Sequence, residues 1–186
     1  YYNDLMSFVD YRNCRDEAPE WASVFNYLYH EYVSPFQSGA EMYERPFWLA
    51  FCAADGQVPR LPVTTAYYDA SVRAKRKDMA AALAFCEAWV RLYHGEGRKY
   101  LAHGKMLHPP AFRCETVNYE ETFRGREIKN VKPVVFHALW EARDGTRALA
   151  LANATGREQP VAWKAADGSW RKATVAPRGL LLVPWK

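Results

Sequence analysis

Val134-Val-Phe-His-Ala-Leu-Trp-Glu-Ala142, then Arg143-Asp-Gly145, then Thr146-Arg-Ala-Leu-Ala-Leu-Ala152 is the stretch that decides the fold. Asp-Gly between two apolar runs is the strongest short-range signal for a β-hairpin. Outward from it the same texture repeats. Short alternating runs occupy 112–118, 126–132, 160–165, 170–175 and 180–185, with turn signals at Asn153-Ala-Thr-Gly156, Asp167-Gly168 and Pro177-Arg-Gly179. Seven such runs in about 80 residues predict an antiparallel β-sandwich over 104–186.

The half before residue 104 reads differently. Residues 24–29 (Val-Phe-Asn-Tyr-Leu-Tyr) are β-branched and aromatic, which predicts a buried strand ending at His30-Glu31. Helices are expected near residues 5–9, over 41–54 with a stop at Asp55-Gly56, and from a cap at Asp69 or Ser71 to His94. The last of these carries Val72, Met79, Leu83, Phe85, Cys86, Trp89, Val90 and Tyr93 as its apolar face, and Gly95 and Gly97 end it. Residues 57–62 hold two prolines and predict only a brief extended piece. Strand-helix alternation with too few strands for a sheet fits the last two or three units of a (β/α)8 barrel, which needs about 250 residues in all. The opening at Tyr1, without Met or an apolar leader, suggests a piece of something longer.

Composition narrows the function classes. The chain has 186 residues, 49% hydrophobic and 25% charged, typical of a globular protein. No apolar run is long enough to span a membrane. Residues 1–103 hold 11 basic and 13 acidic side chains, and residues 104–186 hold 14 and 8. The basic half spreads its charges singly, which argues against a nucleic-acid partner. The densest basic run, residues 73–77, reads as a solvated helix face. Cys14, Cys52, Cys86 and Cys114 have no CxxC spacing, and His94, His103, His108 and His137 have no partners at ligand spacing, so no metal or other cofactor is expected.

Several phrases carry a family resemblance. Phe25-Asn-Tyr-Leu-Tyr-His-Glu-Tyr32 resembles a late barrel strand of bacterial glycoside-hydrolase-like proteins, a group known mainly as a domain of unknown function. Ala53-Ala-Asp-Gly-Gln-Val-Pro59 resembles their approach to the final strand, and Tyr100-Leu-Ala-His-Gly-Lys-Met-Leu107 their exit from the last barrel helix. Leu149-Ala-Leu-Ala-Asn-Ala-Thr155 and Pro177-Arg-Gly-Leu-Leu-Leu-Val-Pro184 are similar to strands of the accessory sandwich behind such barrels. The resemblance implies the end of a barrel over 1–103 followed by a sandwich over 104–186. It further implies O-glycosyl hydrolysis of a poly- or oligosaccharide in a secreted or periplasmic parent, with the rest of the barrel as partner. The first five or six barrel strands are absent, so the fragment alone is expected to be inactive.

Barrel enzymes place reactive groups at strand C-termini, which singles out His30-Glu31. Glycoside hydrolysis uses two carboxylates, and Glu31 is the candidate for one of them. His30, Tyr29 and Tyr32 are the candidate substrate-binding residues: a tyrosine offers a flat face and a hydroxyl to a sugar ring. The competing reading packs Tyr27, Tyr29 and Tyr32 between barrel and helices, and leaves Glu31 as an ordinary strand-end charge. Asp10 is expected on a helix surface, Asp55 in a turn and Asp69 at a cap. Of the seven tryptophans, Trp89 is expected in the core, while Trp140, Trp163, Trp170 and Trp185 fall in sandwich strands. A non-catalytic carbohydrate-binding or structural sandwich is the alternative function.

Overall fold

The structure, a computed structural model, describes residues 24–32, 46–58, 79–123 and 126–186. Helices α1 (Val24–Tyr29), α2 (Pro46–Ala54), α3 (Met79–His94) and α4 (Arg98–Leu101) precede the strands. Strands β1 (Lys105–Leu107), β2 (Phe112–Arg113), β3 (Thr116–Phe123), β4 (Arg126–Pro133) and β5 (Val135–Glu141) follow, then β6 (Arg147–Asn153), β7 (Gln159–Lys164), β8 (Trp170–Val175) and β9 (Leu180–Trp185). They form a four-stranded sheet in the order β1-β5-β6-β9, a three-stranded sheet β2-β7-β8, and the hairpin β3-β4. Every pairing is antiparallel. The fold is therefore mixed, rich in antiparallel sheet, and no barrel closes among the described residues.

Three expectations are corrected. Residues 24–29 are helical, not a strand. Six residues are too few to separate a period of 2 from one of 3.6. A strand there would need a neighbouring strand to take its hydrogen bonds, and none of the described sheets includes this segment. Lys105–Leu107 belongs to the sheet as its outer strand, paired with Leu139–Glu141. The expected run over 112–118 is also two strands: Arg113 pairs with β7, and from Thr116 onward the chain pairs with β4. The expected features at residues 5–9, Asp10, Cys14, Asp69, Ser71 and 73–77 lie outside the described residues.

The central sheet has two apolar faces, and the sequence alternates to match them. Phe136, Ala138, Trp140, Ala148, Ala150 and Ala152 face α2 and α3. Val135, Leu139, Leu149 and Leu151 face the three-stranded sheet, against Phe112, Val161, Trp163 and Val175. The leucine–alanine alternation of β6 thus has a steric purpose. Small residues on one side let the helices come close, and large ones on the other fill the gap between sheets. Helix α2 is apolar all round and buried from Trp48 to Ala54, as expected of a helix enclosed on every side. On α3 the inward stripe is Ala82, Phe85, Cys86, Trp89 and Tyr93, while Val90 turns outward. His137 points into the inter-sheet space, its ring stacked on Phe112 with centroids 4.0 Å apart.

The two Asp-Gly turns close the same way. Gly145 N donates to Ala142 O (2.9 Å) and Gly168 N to Ala165 O (2.9 Å). Asp144 and Asp167 each accept the backbone N–H two residues on, from Thr146 (3.0 Å) and Ser169 (2.9 Å). Both glycines have φ near +80° (Gly145 77°, Gly168 80°), the left-handed position that a three-residue hairpin loop requires.

Candidate functional site

The segment that carries the candidate residues leaves α1 through a turn in which Tyr32 N donates to Tyr29 O (2.9 Å). The turn sends the residues to opposite sides. His30 is buried, 4% exposed, whereas Glu31, Tyr29 and Tyr32 face outward with Tyr27 and Leu28. His30 Nδ1 lies 3.1 Å from Gly104 O and Nε2 lies 3.1 Å from Gly56 O. The imidazole thus ties the end of α1 to two distant chain segments. A neutral ring has one N–H and donates to only one of these carbonyls. Burial pushes the His30 pKa below its usual value, and the Gly56 and Gly104 carbonyls oppose that shift.

The neighbours of His30 are equally enclosed. Its ring meets Trp140 edge-on with centroids 4.5 Å apart, and Trp140 Nε1 donates to Ala54 O (3.1 Å). Gly56 takes φ +68°, and a Cβ there would come within 2.8 Å of both His30 Nε2 and the Trp140 ring. Asp55, expected in a turn, is in one, but it is buried and accepts from Gln57 Nε2 (3.0 Å). The result, among the described residues, is a buried polar joint in which both His30 nitrogens already face carbonyls. Only Glu31, Tyr29 and Tyr32 remain at the surface as the sequence-derived candidates.

Three other places on the molecule carry chemistry that the sequence did not bring together. Lys99 Nζ bonds Asp144 Oδ2 (3.0 Å) and Thr146 Oγ1 (2.9 Å) beside a cavity of about 370 Å³ that His103 and Arg143 also line. Hydrogen bonds from Thr146, side chain first and then backbone, and from Lys99 hold the Asp144 carboxyl down at about 2. So saturated a carboxylate does not exchange protons near neutrality. A second cavity of about 370 Å³ opens between β8 and β9, where Trp163, Trp185, Arg171 and Lys172 meet. Trp170, the exposed one of the strand tryptophans at 40%, lies under the Arg113 guanidinium at 4.0 Å.

Among the described residues Cys52, Cys86 and Cys114 form no disulfide: Cys52 and Cys86 are buried, Cys114 is half-buried, and burial pushes the Cys86 thiol up to about 11, away from the reactive thiolate. Among the described residues no group of His, Cys, Asp and Glu could hold a metal ion, and no helix is long and apolar enough to cross a membrane. Comparison of the chain with protein-family models, with curated proteins and with solved structures finds no match.

Proposed function

We propose that the chain is the C-terminal portion of a glycoside hydrolase, in which the last units of a (β/α)8 barrel pack on an accessory antiparallel sandwich. The observation that carries this reading is the layering. A helical layer covers one face of a sheet whose other face completes a sandwich, the arrangement implied by the resemblance of 100–107, 149–155 and 177–184. The exposed Tyr27, Leu28, Tyr29 and Tyr32 supply the kind of aromatic surface that the missing barrel units or a sugar would cover. Glu31 is the carboxylate offered to the reaction, with Tyr29 and Tyr32 at its sides and His30 holding the turn from within. The strand resemblance of 25–32 no longer supports the reading, because that segment is helical.

The test is to express the complete reading frame containing these residues and assay aryl-glycoside hydrolysis. The reading expects activity that Glu31→Gln abolishes, and none from residues 1–186 by themselves. Hydrolysis by residues 1–186 alone, or a full-length Glu31→Gln enzyme with unchanged kcat, would overturn it. The second reading, a carbohydrate-binding sandwich without catalysis, is favoured by one observation: the exposed Trp170 with its stacked Arg113.

A further inference from the structure

The outer face of the three-stranded sheet carries cations and no acid. Phe112, Val161, Trp163 and Val175 turn inward and are buried. Alternation therefore turns Arg113, Pro160, Lys164, Trp170, Lys172 and Thr174 outward, and all six are exposed. Strands β2, β7 and β8 contain no Asp or Glu at any position. Of the carboxylates at its borders, Asp167 in the β7–β8 turn is taken up by Ser169 and Arg171, Glu115 beyond β2 is paired with Arg157, and Glu158 stands just before β7 begins.

Register fixes the spacing. Arg113, Ala162 and Lys172 lie abreast across the three strands, and Lys164 lies beside Trp170. Two interstrand steps set the Arg113 and Lys172 backbones ~10 Å apart, and Lys172 stands ~7 Å along its strand from Trp170.

Arg113 differs from four other arginines in what holds it. Arg91, Arg147, Arg157 and Arg171 each bind a carboxylate. Arg113 has no ion pair among the described residues and is held by the Trp170 ring. Stacking uses the flat face of a guanidinium and leaves its in-plane N–H groups free, in the fork that accepts a carboxylate bidentately.

We propose that this face binds a carboxylated polysaccharide, with Arg113 as the anchoring cation, Lys164 and Lys172 as flanking ones, and Trp170 as the support that orients Arg113. Ala162, Pro160 and Thr174 keep the strip shallow, so an extended polymer can lie along it. Duplex nucleic acid carries one charge per ~1.7 Å of axis, far denser than these cations. A protein partner would want a buried apolar anchor, which the strip lacks. The inference stands apart from the hydrolase reading, because it requires binding and no bond cleavage.

The experiment is calorimetric titration of the purified chain with polygalacturonate, a neutral β-glucan, heparin and duplex DNA. Polygalacturonate is expected to bind at low salt and to weaken as NaCl is raised. Arg113→Gln should weaken it about tenfold or more, with Trp170→Leu following it. Lys105→Gln, an exposed cation on β1, should leave it unchanged. The proposal is overturned if wild type ignores polygalacturonate, if Arg113→Gln binds as tightly as wild type, or if Lys105→Gln weakens binding equally. Preference for heparin, DNA or neutral glucan overturns it as well.

Discussion

His137 should make this fold acid-sensitive, and the size of the effect can be worked from its surroundings. The ring is stacked on Phe112 between the sheets, and its Nε2 is buried without a partner among the described residues. Burial drives its pKa from 6.5 down to about 3, outweighing a hydrogen bond to the Pro110 carbonyl that favours the charged form. At pH 7 the ring is neutral in the folded chain and mostly neutral in the unfolded one, so most of the stability it permits is present there. As pH falls through 6.5 the unfolded chain takes a proton that the folded chain refuses, and stability drops until pH reaches about 3. The whole interval is worth at most ~5 kcal/mol, and the part between pH 7 and pH 5 about 2 kcal/mol. The assay is urea unfolding at pH 7 and pH 5 for wild type and His137→Leu. The variant should lose about 2 kcal/mol less than wild type over that step. His30 also has a lowered pKa, but it is present in both proteins and cancels in the difference. Equal losses for wild type and variant would refute the burial argument.

Other substitutions test other parts of the fold. Gly56→Ala combines a left-handed φ of +68° with a Cβ 2.8 Å from His30 and Trp140, so denaturant titration should show a loss of about 2–5 kcal/mol. A loss below about 1 kcal/mol would mean the joint is loose. Gly145→Ala meets no atom within 4 Å, so it should cost only about 1–2 kcal/mol, the conformational part. Gly145→Asn should cost less, and equal costs would show that φ is not the cause. Asn153 Nδ2 faces the carbonyls of Arg157 (2.7 Å), Val175 (3.1 Å) and Ala176 (2.9 Å), while its Oδ1 accepts from Thr155. Asn153→Asp would set a charge among three carbonyls and should cost about 3 kcal/mol or more at pH 7. The penalty should shrink at acid pH as the carboxyl regains a proton donor, and a pH-independent penalty would count against this account.

The antiparallel sheets were legible because their signals are local. Asp144-Gly145 and Asp167-Gly168 state their turns in two residues, and the Leu–Ala alternation of β6 states both of its faces. The α3 core stripe was legible over four turns, with Val90 misplaced by one position around the helix. What the sequence concealed depends on partners far along the chain. His30 is held by carbonyls 26 and 74 residues away, so nothing near it announces a buried joint. Lys105–Leu107 is a strand only because β5 lies beside it. The six residues of α1 were too short for their period to show. The cation-bearing face was hidden because Arg113, Lys164, Trp170 and Lys172 come from three strands and meet only through register.

The double-faced central sheet has a consequence for anyone who dissects the chain. The change of texture near residue 104 invites a cut there, yet Trp89 and Leu101 before the cut share a core with Phe136 and Trp140 after it. A C-terminal piece would keep its inter-sheet core and bare the opposite face, Phe136, Trp140, Leu180 and Leu182 included. The N-terminal piece would be left with Trp48, Phe51 and Trp89 and without the sheet face they pack on. Each half covers an apolar face of the other, so they should be produced as one polypeptide or co-expressed rather than assayed as separate modules.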